Sequence, residues 1–293
     1  MSGAADPATT VELAGQVATR IGSLDGVVAV ALGGSLARGR GDARSDVDLG
    51  LYYDPARPFS IEELRAVATE LDDDHDPELV GFGDWGPWIN GGAWTRVQGT
   101  KVDLLYRDLR LVDRVLTDCA EGRTTCAYQP GHPHGFHSHM YAGEVHHNLA
   151  LHDPDGTLAR LRARTSPYPP RLRQTIVRRY AWEAGFANTT AAGAAGRGDL
   201  AYVSGCLFRA VACLVQVLFA LNERWLLNEK GAVREADGLA LGPPGFAAEV
   251  AAVLGGLRPD PATLQGALER MAALTAAVRG CCGDVLGGGQ AAR

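Results

Sequence analysis

Three aspartates and a serine behind two glycines are the residues of this chain best placed to do chemistry. Gly33, Gly34 and Ser35 follow a short apolar run at 27–32; Asp46 comes eleven residues after Ser35, and Asp48 lies just beyond it. Two glycines at the end of a strand admit positive φ and let a phosphate approach closely, while Ser35 adds a hydroxyl at the start of the next helix. In a strand, residues two apart share a face, so Asp46 and Asp48 point one way and Val47 and Leu49 the other. Two carboxylates on one face repel unless a cation lies between them, and hard oxygen donors of this kind suit Mg²⁺. Asp103, inside the apolar run 101–106, is positioned to supply a third ligand from a neighbouring strand.

The elements that must carry these residues follow in order. Apolar residues at helical spacing predict a helix over 10–21, followed by strands at 27–32 and 46–53. Ser60 caps a helix to about residue 71, with Glu62 and Glu63 in its first turn as the helix dipole favours. Shorter strands are expected at 79–82 and 92–98, then the strand of Asp103 and a helix over 109–120. From residue 157 the pattern turns helical, broken at 167–170 and 196–198, with helices expected over 171–192, 200–221, 222–229, 246–255 and 261–278. Two domains are expected, one at 1–125 and an all-α helical bundle at 157–293, joined by a linker and cleft segment at 126–156.

The Gly34-Ser35 turn, the Asp46-x-Asp48 pair and the later Asp103 together resemble the metal-binding signature of the polymerase-beta-type nucleotidyltransferase superfamily, and particularly its small aminoglycoside- and lincosamide-modifying branch. Residues 221–231 look like part of the helical domain that follows the catalytic one in some nucleotidyltransferases. The resemblance implies an α/β (α+β) catalytic core with a mixed sheet at 1–125. It also implies two Mg²⁺ ions and transfer of a nucleoside monophosphate from an NTP, usually ATP, to a hydroxyl, with release of pyrophosphate. On that reading Asp46, Asp48 and Asp103 hold metal, and Gly34 and Ser35 bind phosphate. Arg38, Arg40 and Arg44 are candidate cations for the leaving group, and Lys230 either reaches the triphosphate or caps a helix end. Two carboxylates compete as the base for the acceptor proton: Glu144, and Asp103 acting as ligand and base together.

Composition narrows the acceptor. A net charge of −6, from 28 basic and 34 acidic residues, argues against an extended nucleic-acid surface and suits a small cationic acceptor. The first expectation is a small hydroxylated molecule such as an aminoglycoside-like antibiotic. An AMPylating regulator of a partner protein and a non-catalytic nucleotide sensor are the alternatives. A homodimer is compatible with the apolar helices. The acidic run Asp72, Asp73, Asp74, Asp76 and Glu78 reads first as a solvated loop.

Other features are read without a catalytic role. Trp85 and Trp88, in a glycine-bounded loop, either stack on a ligand or plug an apolar gap. His132, His134, His137 and His139 lie among prolines and glycines that give no fixed ligand geometry, so an inter-domain loop is favoured over a zinc site. Six cysteines without CxxC spacing read as free thiols. Residues 200–221 are apolar enough to span a membrane, but Arg209 at the centre favours a buried helix in which Arg209 needs a partner or a route to solvent. The first residues lack a basic and an apolar region, so a cytoplasmic protein is expected.

Overall fold

The structure, a computed structural model, describes residues 7–41 and 45–287. The chain separates into two compact units, Met1–Thr117 with Tyr141–Pro167, and Asp118–Met140 with Tyr168–Arg293. Residues 126–156 therefore do not form a separate linker: 118–140 belong to the helical unit and 141–167 return to the sheet unit.

The first unit is a mixed six-stranded sheet. Its strands are β1 (Val27–Leu32), β2 (Val47–Tyr53), β3 (Glu78–Leu79), β4 (Gly92–Val97), β5 (Thr100–Asp108) and β8 (Leu149–His152), the short β6 (Cys126–Ala127) and β7 (Phe136–His137) pairing with each other in the second unit. The order is β3-β4-β5-β2-β1-β8, antiparallel except for β2 beside β5. The α/β expectation thus holds, with a mixed sheet.

Alternation along the central strands sorts the two faces. Val47, Leu49 and Leu51 on β2 and Val102, Leu104 and Tyr106 on β5 face the core. Helix Pro7–Gly22 covers that face with Leu13, Ala14, Val17, Ala18 and Ile21, the spacing of one helical stripe. Burial of each large side chain contributes about 1.5–3 kcal/mol, so this layer holds the sheet rigid. The other face keeps Asp48, Gly50 and Tyr52 from β2 opposite Asp103, Leu105 and Arg107 from β5.

Local signals explain several boundaries. Ser60 Oγ accepts from Glu63 N–H at 3.2 Å and starts helix Ile61–Leu71. The acidic run that follows is no loose solvated loop throughout: buried Asp72 accepts from the amides of Arg96, Asp74 and Asp76, and Asp73 from those of Gln98 and Gly99. Two strands differ from expectation. β3 is confined to Glu78–Leu79, and β8, which no expectation included, follows helix Met140–His147 and pairs Leu149 with Leu32. β8 is too short for alternation to reveal it.

In the second unit, helices Pro170–Thr190 and Leu200–Leu221 pack together and helix Pro261–Cys281 packs on both. Leu200–Leu221 is long and apolar enough to cross a membrane, yet nearly all of its second half is buried within the unit, as in a core helix. No helix forms over 222–229. Glu223 takes a positive φ of 56°, which ends the preceding helix, and Trp225 and Leu226 are buried from an irregular segment instead.

Candidate active site

The turn after β1 is built around Asp48. Gly33 N–H donates to the Asp48 carbonyl at 2.8 Å, tying the strand end to β2. Gly34 then adopts φ +63°, and a Cβ there would lie 1.9 Å from Asp48 Oδ2. A side chain is thus excluded twice, by backbone conformation and by the carboxylate itself. A single helical turn, Gly34–Ala37, follows; Ser35 Oγ donates to Ser45 Oγ at 3.2 Å and the Ser35 carbonyl accepts from Arg40 N–H. Arg38 closes this turn and Arg40 lies just beyond it. Arg44 lies outside the described residues.

Parallel pairing of β2 with β5 sets Asp48 directly opposite Asp103, with Asp46 just before β2. Asp48 has its carboxyl pushed up to about 6, first by burial, then by Asp103, Asp46 and Glu144, against the lowering effect of Lys101. Lys101, two residues before Asp103 and therefore on its face, extends Nζ to 3.2 Å from Asp46 Oδ2 and 3.1 Å from Asp103 Oδ2. Burial alone would lower the Lys101 ammonium, but contacts with Asp103 and then Asp46 outweigh it and hold it protonated above its ordinary range. Among the described residues no three His, Cys, Asp or Glu side chains are already gathered as a metal cage. The donor set nonetheless fits a divalent cation: three carboxylates crowd one sheet face, an ammonium bridges two of them, and Gly34 keeps the space beside Asp48 clear.

Glu144, on helix Met140–His147, reaches the same face. A Cβ on Gly50 would stand 3.5 Å from Glu144 Oε1, which places the carboxylate over the middle of β2. Arg107 on β5 grips it with two parallel bonds, Nε to Oε1 at 2.7 Å and Nη2 to Oε2 at 2.9 Å. This geometry compensates the carboxylate charge in a bidentate ion pair. The Arg107 guanidinium lies over the Tyr141 ring at 5.4 Å and also donates to the Tyr106 carbonyl. Tyr52 accepts from the Asn148 amide, whose oxygen is in turn held by Arg162.

Gly34, Ser35, Asp46, Asp48, Asp103 and Glu144 thus all lie in the sheet unit. Lys230 belongs to the helical unit, exposed beyond Glu229. Lys101 and Arg107 were missed by sequence reasoning, although two-residue periodicity from Asp103 along β5 leads to Lys101 on one side and Arg107 on the other. Both loop tryptophans make contacts within the sheet unit, Trp85 remaining partly exposed. Trp85 packs against Trp94 with centroids 4.1 Å apart, and Tyr141 Oη donates to the Trp88 carbonyl.

His132, His134, His137 and His139 are wired into the helical unit. His137 Nδ1 lies 2.8 Å from Tyr180 Oη, while His139 contacts Gln216 Oε1 at 3.0 Å and Thr124 Oγ1 at 2.7 Å. His132 meets Glu229 at 3.3 Å. Arg209 finds its partner in Glu183 at 2.6 Å and donates to the His134 carbonyl. All six cysteines are free.

Comparison with known proteins bears on the first unit most directly. Residues 15–83 match the family model described as a nucleotidyltransferase domain, a span that includes Gly34, Ser35, Asp46 and Asp48. Residues 139–230 match a domain of unknown function, DUF4037. No curated protein matches the chain. Among solved structures, a nucleotidyltransferase-like protein from Exiguobacterium sibiricum 255-15 aligns with a TM-score of 0.44 and 12% identity over 96% of this chain and 78% of that one. With the family match falling on the glycine turn and the first carboxylate pair, the chain carries a nucleotidyltransferase domain consistent with the polymerase-beta-type superfamily.

Proposed function

We propose that this protein is a Mg²⁺-dependent enzyme that transfers a nucleoside monophosphate, AMP from ATP in the first instance, to a hydroxyl of a small cationic acceptor such as an aminoglycoside-like antibiotic. The observation that carries the reading is the facing of Asp48 and Asp103 on parallel strands, with Gly34 folded against Asp48. The net charge of −6 supports a cationic acceptor.

Asp46, Asp48 and Asp103 would hold two Mg²⁺ ions, which when bound stabilise charge on the reacting phosphoryl group and the attacking oxygen. Gly34, lacking a side chain, leaves its amide and the Ser35 hydroxyl accessible to the triphosphate. Asp103 takes the proton of the acceptor hydroxyl as the acceptor oxygen bonds to the α-phosphorus and the bond to the β-phosphate oxygen breaks, releasing pyrophosphate. Asp103 is preferred to Glu144 for this step because Arg107 engages both Glu144 oxygens in a bidentate pair, whereas the ammonium of Lys101, on its flexible and partly exposed stem, meets Asp103 at Oδ2. Glu144 instead orients Arg107 across the sheet face.

The test is pyrophosphate release with Mg²⁺ and each NTP against aminoglycosides, lincosamides and cell extract, with acceptor masses read by mass spectrometry. An acceptor gaining one nucleoside monophosphate, and no such product from Asp46→Asn, is expected. Modification confined to a protein would overturn the small-molecule acceptor; substantial turnover by Asp48→Asn would overturn the mechanism.

A further inference from the structure

The Lys101 ammonium bridges one carboxylate from each of two neighbouring chain segments, Asp46 ahead of β2 and Asp103 on β5. A divalent cation drawing on this donor set meets an ammonium already held on two of the three carboxylates, and the two positive charges repel at that range, so they compete for the same negative charge. The two sides of the bridge differ in freedom. Asp103 is held by the β2–β5 register and its side chain is 16% exposed, whereas the Lys101 side chain is 45% exposed on a flexible stem. The ammonium can therefore swing into water as an incoming cation takes over its charge compensation, while the carboxylate stays in place.

We infer that Lys101 is a resident counter-ion of the carboxylate site, which a divalent cation must displace, so that Lys101 sets the affinity of the site for metal before nucleotide binds. This deepens the nucleotidyltransferase reading and rests on its metal site. Each ion pair is partly exposed and individually modest, which puts the penalty on bare metal at about three- to tenfold. A metal ion that arrives with a nucleoside triphosphate brings phosphate ligands of its own and depends less on the contested oxygens. The site is thereby biased against loading by the cation alone.

The full chain and its Lys101→Met, Lys101→Gln and Lys101→Arg variants are titrated calorimetrically with MnCl₂, with and without a non-hydrolysable ATP analogue, and unfolded thermally in EDTA. Lys101→Met and Lys101→Gln are expected to bind bare Mn²⁺ about three- to tenfold more tightly. Their midpoints in EDTA fall, because the carboxylates lose their compensating charge, and Mn²⁺ restores them. Lys101→Arg retains the wild-type behaviour, and the analogue narrows the difference between variants. Unchanged or weaker Mn²⁺ affinity in both neutral variants overturns the inference. Should folded wild-type protein bind no Mn²⁺ even with the analogue, and Asp46→Asn behave identically, the metal-site reading itself fails and takes the inference with it.

Discussion

Gly34 and Asp48 are fitted so closely that a Cβ on the glycine would lie 1.9 Å from a carboxylate oxygen. The turn that would receive phosphate and the carboxylate that would hold metal are therefore one unit. Gly34→Ala is expected to reduce turnover at least about 100-fold, since displacing a reacting group by an ångström is enough for that. Circular dichroism of the variant should remain native, with a modest loss of stability from the positive φ. Turnover within a few-fold of wild type would show that the turn does not position Asp48.

Assignment of the base can be separated kinetically. If Asp103 accepts the proton, Asp103→Asn abolishes detectable transfer, whereas Glu144→Gln lowers kcat by about tenfold or less. A loss of 10²–10⁴ in kcat for Glu144→Gln, the range for a general base, with Mn²⁺ binding intact would move the role to Glu144.

The Arg107–Glu144 pair makes a separate prediction about stability. Arg107 is 7% exposed and Glu144 27%, so removing the acid strands a buried guanidinium. Glu144→Leu should lower the unfolding free energy by about 3 kcal/mol, the lower end of the range for a broken buried pair, and adding Arg107→Leu should recover most of it. Denaturant unfolding of both singles and the double measures this; additive losses would contradict the pairing.

Acid should loosen the helical unit through its buried imidazoles. Burial, and for His137 also the neighbouring His139 and Arg209, lowers His137 to about 2; burial lowers His139 to about 4. Both lie below the unfolded value near 6.5, so the unfolded chain takes up protons that the folded one refuses. Their stabilising effect is complete above pH 6.5 and is lost as pH falls, through 4 for His139 and further for His137. Each contributes about 2 kcal/mol of loss between pH 7 and pH 5. His139→Gln should remove about 2 kcal/mol of the loss across that window; an unchanged slope would refute the assignment.

Strand alternation made Asp48 and Asp103 readable, because a side chain on a two-residue period must choose a face and the apolar neighbours choose the core. The positions of β1, β2 and β5, the Ser60 cap and the long helices were legible for the same reason: their signals lie within one element. Glu144 could be nominated but not given its partner, since Arg107 lies 37 residues away in sequence. The segment 222–229, read as a helix, shows the limit of local pattern, because burial of Trp225 and Leu226 decided its path.

From the sequence alone follow the chemistry of the donors and the glycine turn, because residue type and short spacing determine what a side chain can bind and which backbone conformations are open. Tertiary structure alone decided that Asp48 faces Asp103 in parallel register, that Lys101 bridges Asp46 and Asp103, and that Arg107 holds Glu144. It also placed His132, His134, His137 and His139 within the helical unit and returned residues 141–167 to the sheet. These are outcomes of strand order and packing between segments distant in the chain, where the free energy of burial chooses among pairings that local sequence leaves equivalent.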